Sequence, residues 1–197
     1  MKKLFLFFAI SAMFALSFTS CCDDDNVVAD PWHFVATPWY VAFCCEQVDN
    51  NQATGYIFLN SKFGSVHIAT ASLPDNYVQP NAMVPVKVLA LKGINELKVE
   101  ALSGEGLENG WTLNATSEVY RGKVVKVGQF HAEVELTSTP TSNEFFAVES
   151  SICFHVNNYP GIAQFEGKEV AFSIVKYIWA NDLATDAIPV CVITPAE

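Results

Sequence analysis

Apolar and polar residues alternate along most of this chain, in short segments separated by glycine, proline, asparagine and serine. A period of two sends successive side chains to opposite faces of an extended strand, whereas a helix repeats its apolar positions every three or four residues, and that spacing is almost absent. The alternation predicts strands over Trp39–Glu46, Gly55–Asn60, Ser65–Ala69, Val84–Leu91 and Glu96–Leu102. A second set is predicted over Gly122–Val127, His131–Thr137, Glu144–Val148, Ser151–Val156, Glu169–Ile178 and Pro189–Ile193. Between the sets lies Ser103-Gly104-Glu105-Gly106-Leu107-Glu108-Asn109-Gly110, a glycine-rich acidic stretch that reads as a break. The expected architecture is therefore all-β, with one β domain over 31–103, a linker over 104–116 and a second β domain over 117–197.

The two sets can be laid on each other without gaps at a constant offset of 86. Ser65-Val66-His67-Ile68 falls on Ser151-Ile152-Cys153-Phe154, Leu73-Pro74 on Tyr159-Pro160, and Val84-Pro85-Val86-Lys87-Val88 on Val170-Ala171-Phe172-Ser173-Ile174. Few of these are identities, but one offset across strand, proline turn and strand points to an internal repeat. In the second half, Arg121-Gly122-Lys123-Val124-Val125-Lys126-Val127 opens and Phe165-Glu166-Gly167-Lys168-Glu169-Val170-Ala171-Phe172-Ser173-Ile174 closes. This pattern resembles OB-type barrels, in which a glycine lets the long first strand bend around a small closed sheet and a Gly-Lys turn feeds the fourth strand. The resemblance implies two tandem OB-like domains, small barrels or sandwiches.

The beginning of the chain follows another logic. Met1-Lys2-Lys3 precedes an apolar run, Leu4 to Leu16, that is short for a transmembrane helix and gives way to Ser17-Phe18-Thr19-Ser20-Cys21. Phe18-Thr19-Ser20-Cys21 resembles a lipobox, which implies a lipoprotein signal peptide over 1–20, cleavage before Cys21 and a diacylglycerol anchor on that cysteine. Asp23-Asp24-Asp25 then sits in a tether over 21–30 and resembles the export signal of Bacteroidetes surface lipoproteins. The same carboxylates also serve as a solvated spacer that lifts the domain off an anionic bilayer. Together the leader and the stretch from Tyr56 to Leu91 are similar to the NigD-like lipoproteins. These resemblances imply an outer-membrane lipid as the anchor's partner, facing the medium or the periplasm.

Charge removes one class of partner. Of the 11 basic residues Lys2 and Lys3 leave with the leader, so nine remain against 21 acidic residues, a formal charge of −12. A surface so acidic offers no footprint for phosphate backbones, and nucleic acid is not expected as a partner. Apart from Cys21 the cysteines are Cys22, Cys44, Cys45, Cys153 and Cys191, with no CxxC and no zinc spacing. They read as small buried hydrophobes with or without one disulfide. On an alternating strand Cys44 and Cys45 point to opposite faces, so at most one is expected in the core.

No catalytic set emerges. His33, His67, His131 and His155 form no HxH or HExxH, and lone strand histidines such as His67 and His155 read as structural, so neither metal nor cofactor is assigned. Gly64-Ser65 lacks the rest of a nucleophile elbow, and Cys153 and His155 share a strand face without forming a dyad. Aromatic residues carry the binding signal: Trp32, Phe34, Trp39 and Tyr40 cluster near the start, Tyr56 and Phe58 alternate, and Tyr177 and Trp179 close the last long strand. Exposed rings of this kind stack on sugar faces. The leading expectation is a non-catalytic binding or assembly module for a glycan or an envelope protein. A structural or adhesive subunit such as a pilus-like component comes next, and a hydrolase with an unrecognised site third.

Overall fold

The computed structural model describes residues 32–59, 62–93, 95–114, 117–141, 146–180 and 188–197. Strands dominate, and among the described residues the helical pieces are short 3-10 turns at Thr70–Ser72, Asp75–Tyr77, Val156–Asn158 and Ile162–Phe165. No helix among them is long and apolar enough to cross a membrane. Cys21, Asp23, Asp24 and Asp25 lie outside the described residues, as does the leader.

Five strands form the first barrel: β1 (Trp32–Asp49), β2 (Gln52–Leu59), β3 (Lys62–Ala69), β4 (Met83–Lys92) and β5 (Glu96–Ala101). They close in the order β1-β2-β3-β5-β4, with β4 returning to β1 and β3 parallel to β5. Trp39, Val41 and Phe43 pair with Val88, Val86 and Val84, and all but the half-buried Trp39 are fully buried, so this alternating set fills the barrel. Leu73 and Tyr77, from the turns after β3, join the same core.

A hairpin follows, β6 (Leu107–Glu108) and β7 (Trp111–Leu113). It occupies the stretch expected to be a linker. Asn109 and Gly110 both have positive φ, 50° and 85°, in a two-residue connection between the paired Glu108 and Trp111. Asn-Gly is the dipeptide that tight hairpin turns favour, and Trp111, fully buried, nails the hairpin to the core. The glycines mark a turn inside a folded element rather than a separation of domains.

The second barrel comprises β8 (Tyr120–Val127), β9 (His131–Ser138), β10 (Ser151–His155), β11 (Glu169–Ala180) and β12 (Ile188–Pro195). It closes in the equivalent order, β8-β9-β10-β12-β11 and back to β8, with β10 parallel to β12. The fold is thus all-β, with two OB-like barrels in tandem. A strand was expected over Glu144–Val148, but Phe146 and Ala147 are in no regular element and Val148 is in a turn, while Glu144 and Phe145 lie outside the described residues. Phe146 instead turns into the second barrel, its ring 4.9 Å from Tyr177 and 5.8 Å from Tyr120. Burying that ring outweighs continuing a ladder.

The internal repeat exists in the pairing, though not at one offset. Val88↔Val99 in the first barrel is matched by Ile174↔Ile193 in the second, so β4 maps to β11 at 86 but β5 maps to β12 at 94. Cys44↔Tyr56 is matched by Lys123↔Glu135, an offset of 79 for the first two strands. The bulges coincide as well. One interrupts β1 between Cys45 and Gln47 and β8 between Val124 and Lys126, and the other interrupts β4 between Val88 and Ala90 and β11 between Ile174 and Lys176. A gapless overlay captured β3 and β4 only, because the connections between strands two and three and between four and five differ in length.

The barrels pack against each other through one apolar cluster. Ala42 and Cys44, on the outer face of β1, join Phe58 of β2 and Cys153, Ile178, Ala180 and Val190 of the second barrel in it. Cys44 and Cys45 are consequently both buried, contrary to the expectation that at most one would be. Alternation does send them to opposite faces, but one face is the barrel interior and the other is the joint between barrels.

Candidate functional site

At one end of the first barrel β1 turns into β2 through Asn50 and Asn51, both with positive φ (45° and 64°), between the paired Asp49 and Gln52. Asparagine tolerates the left-handed region better than other residues with a side chain, so an Asn-Asn pair supports this tight turn. The turn is fastened from below, where the Thr70 N–H donates to the Asn51 carbonyl at 2.9 Å. Around it opens a cleft of about 610 Å³. The turn contributes Gln47, Asp49, Asn50, Asn51 and Gln52, the strand behind it Thr54, and the opposite wall Trp32, Glu96, Leu97 and Lys98, with Ala69 and Ser72 completing the lining.

Contacts of one histidine and two lysines hold this geometry. Thr54 Oγ1 and His67 Nδ1 are hydrogen-bonded at 2.9 Å across β2 and β3, and the His67 N–H donates to the Asn95 carbonyl at 2.7 Å. On the wall, Lys92 Nζ lies 5.8 Å from the Trp32 ring centroid and 3.3 Å from a Glu96 carboxylate oxygen, and Lys98 Nζ lies 5.4 Å from the Phe34 ring. The cations thus tie the first residues of β1 to the edge of the cleft.

The equivalent end of the second barrel is used differently. Its turn is Gln129-Phe130, flanked by Gly128, whose N–H donates to the His131 carbonyl at 2.8 Å. Phe130 stacks on Tyr56 of β2, ring centroids 4.0 Å apart, while Phe58 meets His131 edge-on at 6.5 Å and His155 at 6.4 Å. The shallow concavity beside this turn, about 530 Å³, is lined by Val127, Val156, Pro160, Ile162 and Ala163 with only Gln129 and Asn157 as polar side chains. One barrel's turn is therefore committed to the joint, and the other's borders an open polar cleft.

No family model and no curated protein matches the chain. Among solved structures it is similar to one described as "Molecular basis for abrogation of activation of pro-inflammatory cytokines", at 9% identity over 86% of this chain and 98% of that one, TM-score 0.28. It is also similar to "drosophila Unr CSD456", at 10% identity over 82% of this chain and 63% of that one, TM-score 0.25. At these scores the likenesses carry no argument about what the chain does.

Of the aromatic residues singled out from the sequence, Trp39, Tyr40, Tyr177 and Trp179 do not form one site. Tyr177 is 2% exposed, packed between Phe146 and the core of the second barrel, and so is corrected from ligand contact to core residue. Trp39 is half-buried against the first core. Tyr40 and Trp179 remain 37% and 41% exposed, on β1 and β11, but neither lines the cleft. Trp32, from the aromatic cluster near the start, does, and the rest of the site is marked in the sequence by Asp49-Asn50-Asn51-Gln52 between two alternating strands, a hairpin signal.

The nucleophile candidates are placed where chemistry is hard. Cys44, Cys45, Cys153 and Cys191 are free, buried thiols. Burial pushes Cys44 up to about 12 and raises Cys45, Cys153 and Cys191 above the ordinary thiol value, which disfavours the reactive thiolate. His155 accepts from the Asn157 N–H at 3.1 Å and caps a 3-10 turn, and its burial lowers its pKa. Among the described residues no three of His, Cys, Asp and Glu converge as a metal set.

Proposed function

We propose that this chain is a lipoprotein anchored through Cys21 in the outer membrane and facing the medium, whose folded part is a non-catalytic module that binds a glycan or an envelope protein. The observation that carries the binding reading is the contrast between the two equivalent turns. Gln129-Phe130 is spent on joining the barrels, whereas Asn50-Asn51 stays clear of the joint and borders a cleft of about 610 Å³, within the usual size range of ligand sites.

The second barrel does not repeat the docking contact of the first. Tyr56 stacks on Phe130, and Phe58 meets His131 and His155. The equivalent positions of the second barrel are Glu135 and Thr137, both exposed and polar, which counts against a pilus-like polymer propagated head to tail through this contact.

A thermal-shift screen of the full chain in detergent against oligosaccharides and envelope-protein fragments tests the site. A ligand at 100 times its Kd stabilises by about 2.7 kcal/mol. The reading requires a stabilisation that Asp49→Asn with Trp32→Ala abolishes and Gln129→Ala leaves intact, and is refuted if no ligand depends on the cleft. The anchor is tested by protease shaving of intact cells. Wild type should be shaved, Cys21→Ala should lose membrane attachment, and replacement of Asp23, Asp24 and Asp25 by alanine should protect the protein inside.

A further inference from the structure

The composition of the cleft narrows the ligand beyond the binding reading on which this inference rests. We infer that the cleft takes a neutral, hydroxyl-rich ligand, a short saccharide chain, with the Trp32 indole against a sugar ring and the side chains around the Asn50-Asn51 turn on its hydroxyls. Three features of the lining support this choice over other ligand classes.

First, the amides of Gln47, Asn50, Asn51 and Gln52 each offer donors and an acceptor, matching hydroxyl groups that also do both. Four such side chains around one turn suit a surface of many hydroxyls, and would be poorly used by an apolar ligand, which would leave them desolvated and unpaired. Second, the carboxylates of Asp49 and Glu96 are balanced by Lys98 in the lining and by Lys92, paired with Glu96 at 3.3 Å on the same wall. Carboxylates accept from neutral diols, and a balanced set lacks the clustered cations that bind phosphates, sulfates and uronates. Third, the middle of the cleft wall offers no strand edge to an extended peptide. Thr54 is paired with His67 and with Gln47, and Glu96 and Leu97 are paired with Lys92 and Leu91 on one side and with His67 and Ile68 on the other. Strand addition, a common way of capturing a peptide, has no open ladder at these positions.

The test is a glycan array probed with the full chain in detergent, carrying neutral hexose oligomers beside sulfated and uronate-containing ones, followed by calorimetric titration of the best binder. Binding should be confined to neutral oligosaccharides. Trp32→Ala should weaken it about tenfold, as loss of an aromatic platform does. Asp49→Asn, which keeps the shape and removes the charge, should weaken it several-fold, and Trp179→Ala should leave it within twofold. Circular dichroism of each variant separates lost binding from lost folding. Binding restricted to anionic glycans overturns the inference, as does binding that Trp179→Ala abolishes and Trp32→Ala spares. If no saccharide binds but an envelope-protein fragment gives cleft-dependent stabilisation, the inference fails while the binding reading stands. If nothing binds in a cleft-dependent way, both fail.

Discussion

Gly55 sits opposite Cys45 in the tightest part of the β1–β2 ladder, beside the bulge that both barrels share. A Cβ built on it would lie 2.0 Å from the Cys44 carbonyl oxygen and 2.9 Å from its carbon, about 1.4 Å short of ordinary contact. The obstructing atoms are backbone, in a strand clamped on its far side by β4, so no rotamer change relieves them. Gly55→Ala should therefore cost about 3 kcal/mol, the upper end of ordinary overpacking. For a protein of this length that corresponds to a fall in Tm of about 6–12 °C. Gly122 on β8 makes the comparison. There the nearest atom is a side-chain methyl, Val134 Cγ1 at 2.3 Å, with the Glu135 carbonyl oxygen at 2.9 Å, so Gly122→Ala should cost less, about 1–2 kcal/mol. Urea denaturation with a fixed m value measures both. A loss below about 0.5 kcal/mol for Gly55→Ala, or the reverse order of the two, would refute the claim that backbone approach at β1–β2 requires glycine. Because this ladder carries the Asn50-Asn51 turn, Gly55→Ala should also weaken any cleft-dependent ligand.

Burial, with Lys126 nearby, lowers His131 from 6.5 to about 4, so the folded state prefers the neutral ring. Stability should be fully present above pH 6.5 and fall as pH drops from 6.5 towards 4, where the unfolded chain binds the proton and the folded one does not, by an amount of order 2–3 kcal/mol; His131→Gln should reduce the fall of the urea midpoint across that window, leaving the part that the likewise lowered His155 contributes. Peptide mapping after maleimide treatment should find Cys44, Cys45, Cys153 and Cys191 unmodified in the native protein and labelled in urea, and labelling of Cys153 without denaturant would mean the barrels separate. Tyr177→Ala should destabilise by about 3–5 kcal/mol as a lost core ring, whereas Trp179→Ala, on the partly exposed side of the same strand, should cost under about 2 kcal/mol.

Much of this fold was legible in the chain because strand formation is read from local alternation. The residues that fill each barrel recur at every second position, as in Trp39, Val41 and Phe43 or in Ala132, Val134 and Leu136, and no tertiary knowledge is needed to see them. The opening glycine of the second half, Gly122, likewise announced a small curved sheet, because a Cβ there would lie 2.3 Å from Val134 Cγ1 and 2.9 Å from the Glu135 carbonyl oxygen. The elements that resisted were those where a long-range contact outweighs local preference. Phe146 leaves a strand-like segment to plug a barrel, and Trp111 draws a glycine-rich stretch into the fold.

What the amino-acid order alone determined is the all-β class, the duplicated plan and the acidic surface, since these depend on periodicity and on summed charge. It also contains, in Asp49-Asn50-Asn51-Gln52, the turn that borders the cleft. Only the tertiary structure decided which aromatic residues face solvent, that both Cys44 and Cys45 are buried, and that one of two equivalent turns is consumed in the joint. The physical reason is shared. Alternation assigns a side chain to a face, but whether that face meets water or another barrel depends on docking between segments 74 residues apart, as Tyr56 and Phe130 are.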